Sequence, residues 1–306
     1  MLIAVTGATG FLGRYIVRRL AGAGNHLRCW YRAASDRSGF EAEADAIDWQ
    51  QGQLGDGGAT ARLVDGVDAV VHAALQWEGH GGFRARAEDD LLAFLRANLL
   101  GSLQLFQAAF TAGVPRFVFL STCAVHEVIL DDRPLDEAHP LWPTSPYGAH
   151  KAALEKFVHS FGLGQGWPIC ALRPTGIYGL AHPASASKWY DLVGQVLRGE
   201  PVASTRGGKE VHAADVARAV ELLLGADADR IKGQAFNCYD LYIADQDVAE
   251  IARELTGSRS PIADQRPSPK HQIETGKLRA RGMAFGGKPL LRETVAELVA
   301  AQRARP

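Results

Sequence analysis

A doubly wound α/β fold on a parallel sheet is predicted by three features of this 306-residue chain. Strand-like and helix-like patterns alternate as far as about residue 175. The chain opens on a short apolar run, a glycine turn and an amphipathic stretch. The residues of chemical interest fall where strands end and helices begin, which is where ligands sit in such sheets.

The elements follow in order. Leu2-Ile3-Ala4-Val5 reads as the first strand, and Leu12, Ile16, Val17 and Leu20 share one face of the helix behind the glycine turn. Further strands are predicted at Leu27 to Arg32, Ile47 to Gln53, Ala69 to His72, Arg116 to Ser121 and Ile169 to Arg173. Helical patterns fill the gaps, notably Glu88 to Ala112 and Pro146 to Phe161. Beyond residue 180 the pattern loosens. Leu180 to Ser187 reads as a loop, and Trp189 to Leu197, Ala213 to Leu224, Asp245 to Leu255 and Leu290 to Ala301 as helices. Ala235 to Cys238 suits a late strand, and polar, proline-containing Gly257 to Pro269 a loop. The expected division is a dinucleotide-binding domain over 1–179 and a smaller substrate-binding lobe over 180–306, interleaved with it rather than independent.

Thr6-Gly7-Ala8-Thr9-Gly10-Phe11-Leu12-Gly13 carries the strongest signal. A glycine turn at a helix N-terminus points backbone N–H groups outward, with the positive end of the helix dipole behind them, and so holds a pyrophosphate. Gly7 would make the turn, Gly10 would admit the phosphates, and Gly13 would let helix and strand pack closely. This is the Rossmann-type arrangement, and the expected ligand is a dinucleotide.

Composition excludes other classes. The net charge of -1 gives no basic footprint for nucleic acid or a membrane surface. Cys29, Cys123, Cys170 and Cys238 show no C-x-x-C spacing, which favours a reducing compartment over a zinc site. No metal is expected, because the ten histidines show no ligand spacing with carboxylates. A strand beginning at residue 2 leaves no room for an export signal, and the expected location is cytoplasmic.

Tyr147 and Lys151 are four apart on a helix that Ser145 caps and Pro146 begins. A nearby ammonium favours the phenolate, which makes tyrosine a usable acid/base near neutral pH. Phe117 to Leu120 is an apolar strand ending in the hydroxyls of Ser121 and Thr122, suited to bond a substrate oxygen.

On these residues the chain resembles an extended short-chain dehydrogenase/reductase of the NAD-dependent epimerase/dehydratase family, from residue 1 to about 260. The resemblance rests on Thr6 to Gly13, Val70 to Ala74, Asn98 with Gly101, Ser121-Thr122, Tyr147 with Lys151, Arg173 to Gly179, and His212 to Ala217. It implies catalytic Thr122, Tyr147 and Lys151, with Lys151 also bonding the nicotinamide ribose. It implies cofactor contacts at Gly7, Thr9, Gly10, Phe11, Leu12, Gly13, Arg32, Gln53, Leu54, Ala73, Ala74, Leu75, Asn98, Ser121, Tyr147, Lys151, Pro174 and Ile177.

The departures shape the expectation further. Arg32 stands where NAD users of the family place a ribose-binding acid, so NADP is expected to be preferred, with NAD also usable. Gln53 stands in place of an adenine-binding aspartate, and His126 in place of a tyrosine. Cys123-Ala124 follows Thr122 where dehydratases carry Asp-Glu, which leaves plain hydride transfer at a carbinol carbon. Gly208 falls where a diphosphate-clamping arginine is usual, flanked by Arg206 and Lys209. Cys123, His182, Trp189, Arg206 and Lys209 are the candidate substrate contacts, and Trp77 to Gly82 a glycine-rich flap.

The function expected is oxidation, reduction or epimerisation of a sugar or sugar nucleotide at a secondary alcohol or ketone. A reductase of a small non-nucleotide carbonyl or sugar acid is the alternative, and a non-catalytic dinucleotide sensor a distant one. The apolar surplus on the 88–112 helix and on the helix bearing Tyr147 predicts a homodimer.

Overall fold

The computed structural model describes residues 1–76 and 89–304. The expected flap at Trp77 to Gly82 lies outside the described residues, as does Glu88. The strands are β1 (Leu2–Thr6), β2 (His26–Tyr31), β3 (Ile47–Gln51), β4 (Ala69–His72), β5 (Phe117–Leu120), β6 (Ile169–Pro174), β7 (Gly176–Tyr178), β8 (Gly207–His212), β9 (Gln234–Cys238) and β10 (Leu241–Ala244). The helices are α1 (Phe11–Gly22), α2 (Gly57–Val64), α3 (Leu91–Leu95), α4 (Gly101–Thr111), α5 (Pro146–His159), α6 (Tyr190–Leu197), α7 (Ala213–Gly225), α8 (Asp245–Thr256), α9 (Gly276–Arg279) and α10 (Gly287–Arg303).

The chain divides into two compact units. The first comprises Met1–Pro174, Val216–Cys238 and Ile273–Met283. Its sheet runs β3-β2-β1-β4-β5-β6-β9, every neighbouring pair parallel. This is the doubly wound Rossmann-type order, with the strand direction of travel reversing at β1. β4, β5 and β6 are buried at every position because both faces of the sheet are covered, and they read accordingly as apolar runs up to His72 in β4 and Arg173 in β6. β3 is an edge strand and only partly buried, which explains its weaker pattern. Behind the strands pack the fully buried rings of Phe106, Phe117 and Phe119, with Phe106 and Phe117 centroids 5.0 Å apart.

Two helices depart from their expectations. The 88–112 pattern is broken at Arg96–Leu100, where a π-turn joins α3 to α4. Phe94, Leu105 and Phe106 turn inward, while Leu91, Leu92 and Leu100 stay exposed. A second π-turn, Ser160–Gly164, likewise ends α5 short of Phe161. Ala152 and Phe161, counted in the apolar surplus of that helix, are buried, whereas Phe157 is exposed.

The second unit comprises Thr175–Asp215, Tyr239–Gln272 and Ala284–Pro306. It holds a three-stranded sheet, β10-β8-β7, in which β7 pairs parallel and β10 antiparallel with β8. None of these strands is visible in the periodicity. β7 has three residues, and β8 begins Gly207-Gly208-Lys209-Glu210, which offers no alternation. Tyr178, Val193, Ile243, Val248 and Leu298 form the core beside α6, α8 and α10.

Candidate active site

A cavity of about 240 Å³ opens at the carboxyl ends of β1, β2 and β4 in the first unit. Gly7, Thr9, Gly10, Phe11, Leu12, Gly13, Arg32, Gln53, Leu54, Ala73, Ala74 and Leu75 all line it. The glycines are there for steric reasons. Gly7 has φ +73°, and a Cβ on Gly13 would lie 2.0 Å from the Gly7 carbonyl oxygen. The Gly10 amide donates to the Gly7 carbonyl at 3.0 Å, closing the turn. No side chain caps α1 at Gly10, so its first N–H groups are directed at whatever the turn holds. This cradle fits a dinucleotide pyrophosphate. Ser35, Gly52 and Gln76 also line the cavity and escaped the sequence reading. Gly52 is needed for steric reasons, since a Cβ there would strike the Trp30 ring at 2.6 Å, a contact that only the fold creates.

Asn98 acts one step back. Its amide oxygen accepts from the Gln76 N–H at 2.7 Å, and its Nδ2 donates to the Gln76 carbonyl at 2.7 Å. It therefore holds the β4 exit strip that walls the cavity. A buried chain supports the same strip. The Ala74 amide donates to Thr6 Oγ1 at 3.2 Å, Thr6 Oγ1 meets His72 Nδ1 at 2.7 Å, and His72 Nε2 meets Ser102 Oγ at 2.9 Å. Ser102 Oγ in turn donates to the Asn98 carbonyl at 2.5 Å. That order of donors makes His72 the Nε2–H tautomer. Burial holds its pKa well below the usual value, so it stays neutral.

α5 carries Tyr147 and Lys151. Gly148 N donates to the Ser145 cap at 3.2 Å, and Glu127 accepts from the Ser145 amide at 2.8 Å. A Cβ on Gly148 would lie 2.5 Å from the Ala124 carbonyl, so the helix start sits tightly on the Cys123–Val125 turn. Tyr147 clusters with Phe94, and Leu75, a wall of the cavity, packs against the pair. Lys151 Nζ donates to the Leu120 carbonyl at 2.7 Å and lies 4.6 Å from the Phe119 ring centroid. Burial lowers its pKa from 10.5 to about 7, against the opposing pull of Glu155.

The two hydroxyls after β5 part company. Thr122 Oγ1 accepts from the Ala124 amide at 3.1 Å. Ser121 Oγ donates to the Glu155 carboxylate instead, so it belongs to a buried network rather than to the cavity. Arg173 closes that network, with Nε 3.0 Å from Glu155 Oε1 and NH2 2.5 Å from Oε2, and NH1 3.1 Å from His126 Nε2. His126 is thus a packing partner of Arg173, and burial lowers its pKa to about 4. The Cys123 thiol lies 3.0 Å from the Arg173 carbonyl, and burial pushes its pKa up to about 12. A thiol so protonated is no base. Pro174 ends β6 in this unit, while Ile177 belongs to β7 of the second.

The second unit has its own cavity, of about 660 Å³. Trp189 and Arg206 line it, whereas His182 and Lys209 are not among its walls. Trp189 has φ 65°, a left-handed conformation, with its Nε1 donating to Asp245 at 3.0 Å.

Among the described residues no helix is long and apolar enough to cross a membrane. Comparison with known proteins gives a consistent picture. UDP-glucose 4-epimerase of Rhizobium meliloti is 28% identical over 194 residues, covering 62% of this chain and 56% of that protein. A 3 beta-hydroxysteroid dehydrogenase/Delta 5-->4-isomerase of Mycobacterium tuberculosis is 30% identical over 196 residues, covering 62% of this chain and 51% of that protein. The chain spans about half the length of these curated relatives. Among solved structures, UDP-glucose-4-epimerase of Stenotrophomonas maltophila with bound NAD and formylated UDP-arabinopyranose shares the fold. Its TM-score is 0.80 at 23% identity, covering 99% of this chain and 98% of that one. Residues 3–238 match the NAD dependent epimerase/dehydratase family, and the chain belongs to that family.

Proposed function

We propose that this protein is a nicotinamide-dependent oxidoreductase or epimerase acting at a secondary alcohol or ketone of a sugar or sugar nucleotide. The observation that carries the reading is the position of Tyr147. It packs with Phe94 beside Leu75, a wall of the glycine-turn cavity, on the helix whose Lys151 is buried at the end of β5. Gly7 to Gly13, Gln53 and Ala73 to Leu75 would hold the dinucleotide, which when bound supplies the hydride acceptor or donor. Tyr147 Oη takes the hydroxyl proton of an alcohol being oxidised, or returns one to a ketone being reduced. Lys151, when charged, stabilises the phenolate, and Thr122 positions the substrate oxygen. Residues of the second unit, Trp189 and Arg206 among them, supply the substrate lobe. A Tyr147→Phe variant should lose at least about a thousandfold in turnover, on the scale of general acid-base catalysis, and keep its dinucleotide affinity. Full activity in that variant would overturn the assignment.

Arg32 and Ser35 line the cavity at the end of β2, with the Arg32 amide donating to Ser35 Oγ at 2.9 Å. Relatives of known structure bind NAD. A guanidinium in this place supports NADP as the preferred form here, because it can pair with a 2′-phosphate. Titration calorimetry with both cofactors decides the point, and tighter NAD binding would reverse it. Exposed Leu91, Leu92, Leu100 and Phe157 support a homodimer. A monomer mass in light scattering at micromolar concentration would count against that. The Mycobacterium tuberculosis relative, a steroid dehydrogenase by name, supports a small non-nucleotide carbonyl as the second reading.

A further inference from the structure

Arg14 follows Gly13, the last glycine of the cradle, near the start of α1, and is 3% exposed. A buried guanidinium is costly unless its donors are met. Here backbone meets them rather than an acid. NH1 donates to the Ser38 carbonyl at 2.6 Å and NH2 to the Asp36 carbonyl at 2.8 Å, while Asp36 Oδ2 stands off at 3.7 Å. The guanidinium carbon also lies 4.7 Å from the ring centroid of buried Phe40.

The segment so held leaves β2 and carries Arg32 and Ser35, both walls of the glycine-turn cavity. Some of its bonds tie it to itself or to β2. The Arg32 amide donates to Ser35 Oγ at 2.9 Å, and the Ser35 amide to the Arg32 carbonyl at 2.8 Å. The Ser38 amide donates to Asp36 Oδ1 at 2.9 Å, and the Arg37 guanidinium lies 4.3 Å from the Tyr31 ring centroid. Arg14 adds a buried link to α1, and exposed Arg18 donates to the Gly39 carbonyl at 2.8 Å beyond it.

That link joins the two ends of one subsite. α1 begins at the pyrophosphate cradle, and Arg32 stands past the end of β2, where the adenosine ribose of a dinucleotide would lie. Arg32 is exposed, and among the described residues its guanidinium has neither a hydrogen bond nor an ion pair. A cation on a loose turn must be ordered before it can grip an anion, and fixing the backbone beneath it lowers that cost.

We propose that Arg14 is a positioning residue for the adenosine end of the cavity. By holding the Asp36 and Ser38 carbonyls it fixes the Arg32–Ser35 turn against α1, and so sets the affinity for a 2′-phosphate without touching it. It rests on the NADP reading above.

The test is titration calorimetry on the full chain without dinucleotide. The probes are adenosine 2′,5′-bisphosphate and adenosine 5′-monophosphate, which differ only in the 2′-phosphate. The natural protein should prefer the bisphosphate. Arg14→Met keeps an unbranched apolar side chain and removes the donors. It should weaken the bisphosphate by about tenfold and the monophosphate by less than about twofold. Arg14→Lys should fall between, because one ammonium does not match two carbonyls as a planar fork does. In an Arg32→Ala background Arg14→Met should change bisphosphate binding no further, since its effect passes through Arg32. Retained monophosphate binding reports a folded protein, and if Arg14→Met does not fold, Arg14→Lys is judged by the same selectivity. Equal weakening of both probes overturns the proposal, because a merely structural role gives that result. Additive losses in the double variant overturn it too. A natural protein without preference for the bisphosphate removes the NADP reading and this proposal with it, whereas a preference that Arg14→Met leaves intact overturns the proposal alone.

Discussion

Replacing Lys151 by methionine should make this protein more stable at neutral and acid pH while disabling its chemistry. The side chain is 5% exposed, and burial lowers its pKa from 10.5 to about 7. The folded-state pKa therefore lies below the unfolded one, so the cost of burying the charge is fully present below pH 7. It is relieved as pH rises from 7 toward 10.5, where the folded state has released a proton that the unfolded state still holds. The gap corresponds to about 5 kcal/mol in all, accrued at about 1.4 kcal/mol per pH unit. Between pH 6 and pH 9 the natural protein should gain about 2–3 kcal/mol from this group. Methionine removes that gain, and it leaves the Leu120 carbonyl without the 2.7 Å donor it now has, at about 1–3 kcal/mol. At pH 6 the variant should come out about 2–4 kcal/mol ahead, with the two curves converging at alkaline pH. Urea denaturation of the dinucleotide-free protein, followed by circular dichroism at several pH values, measures this directly. Parallel profiles, or a Lys151→Met variant less stable at pH 6, would refute the argument that burial dominates at this site.

Two further substitutions probe the scaffold. Gly13→Ala would place a methyl group 2.0 Å from the Gly7 carbonyl, where only backbone can yield. It should cost about 3 kcal/mol in thermal unfolding and weaken dinucleotide binding more than tenfold. Gly22→Ala, at the open end of the same helix, should be neutral or stabilising by up to about 1 kcal/mol. The Glu155–Arg173 pair, with side chains 0% and 1% exposed, should lose about 3–5 kcal/mol when either partner alone becomes leucine. The double replacement should recover most of that loss in chemical denaturation, and additive losses would contradict the pairing.

The parts of this fold that could be read along the chain are those where one residue type alone satisfies a backbone demand. Gly7 at φ +73° and Gly13 against the Gly7 carbonyl leave no room for a side chain, so the cradle is written in its glycines. Ser145 and Pro146 mark the start of α5 for the same reason, since a cap and a fixed φ are local needs. Where the constraint is pairing across the fold, periodicity says little. Asn98 looked like a ligand contact, yet its amide is committed to Gln76, 22 positions earlier. Lys188 and Glu210 are likewise 22 apart, and only the arrangement of the second unit brings them together. The π-turn at Arg96–Leu100 contains neither proline nor glycine, so nothing local announces the break.

The lysine at the centre of the site shows how the two kinds of information join. Glu155 follows Lys151 by four, and spacing alone would predict an ion pair that keeps the ammonium charged. The sheet supplies what spacing omits. Arg173 on β6 reaches Glu155 with Nε at 3.0 and 3.1 Å from its two oxygens, and Ser121 donates to the same carboxylate. With Glu155 bound to these partners, Lys151 is left with the Leu120 carbonyl and the face of Phe119. Both are weaker partners for a charge than a carboxylate, and so desolvation outweighs attraction and the lysine pKa falls to about 7. Under the proposed assignment of Lys151 to Tyr147, the Glu155–Arg173 pair bears on the chemistry by committing the Glu155 carboxylate away from the lysine.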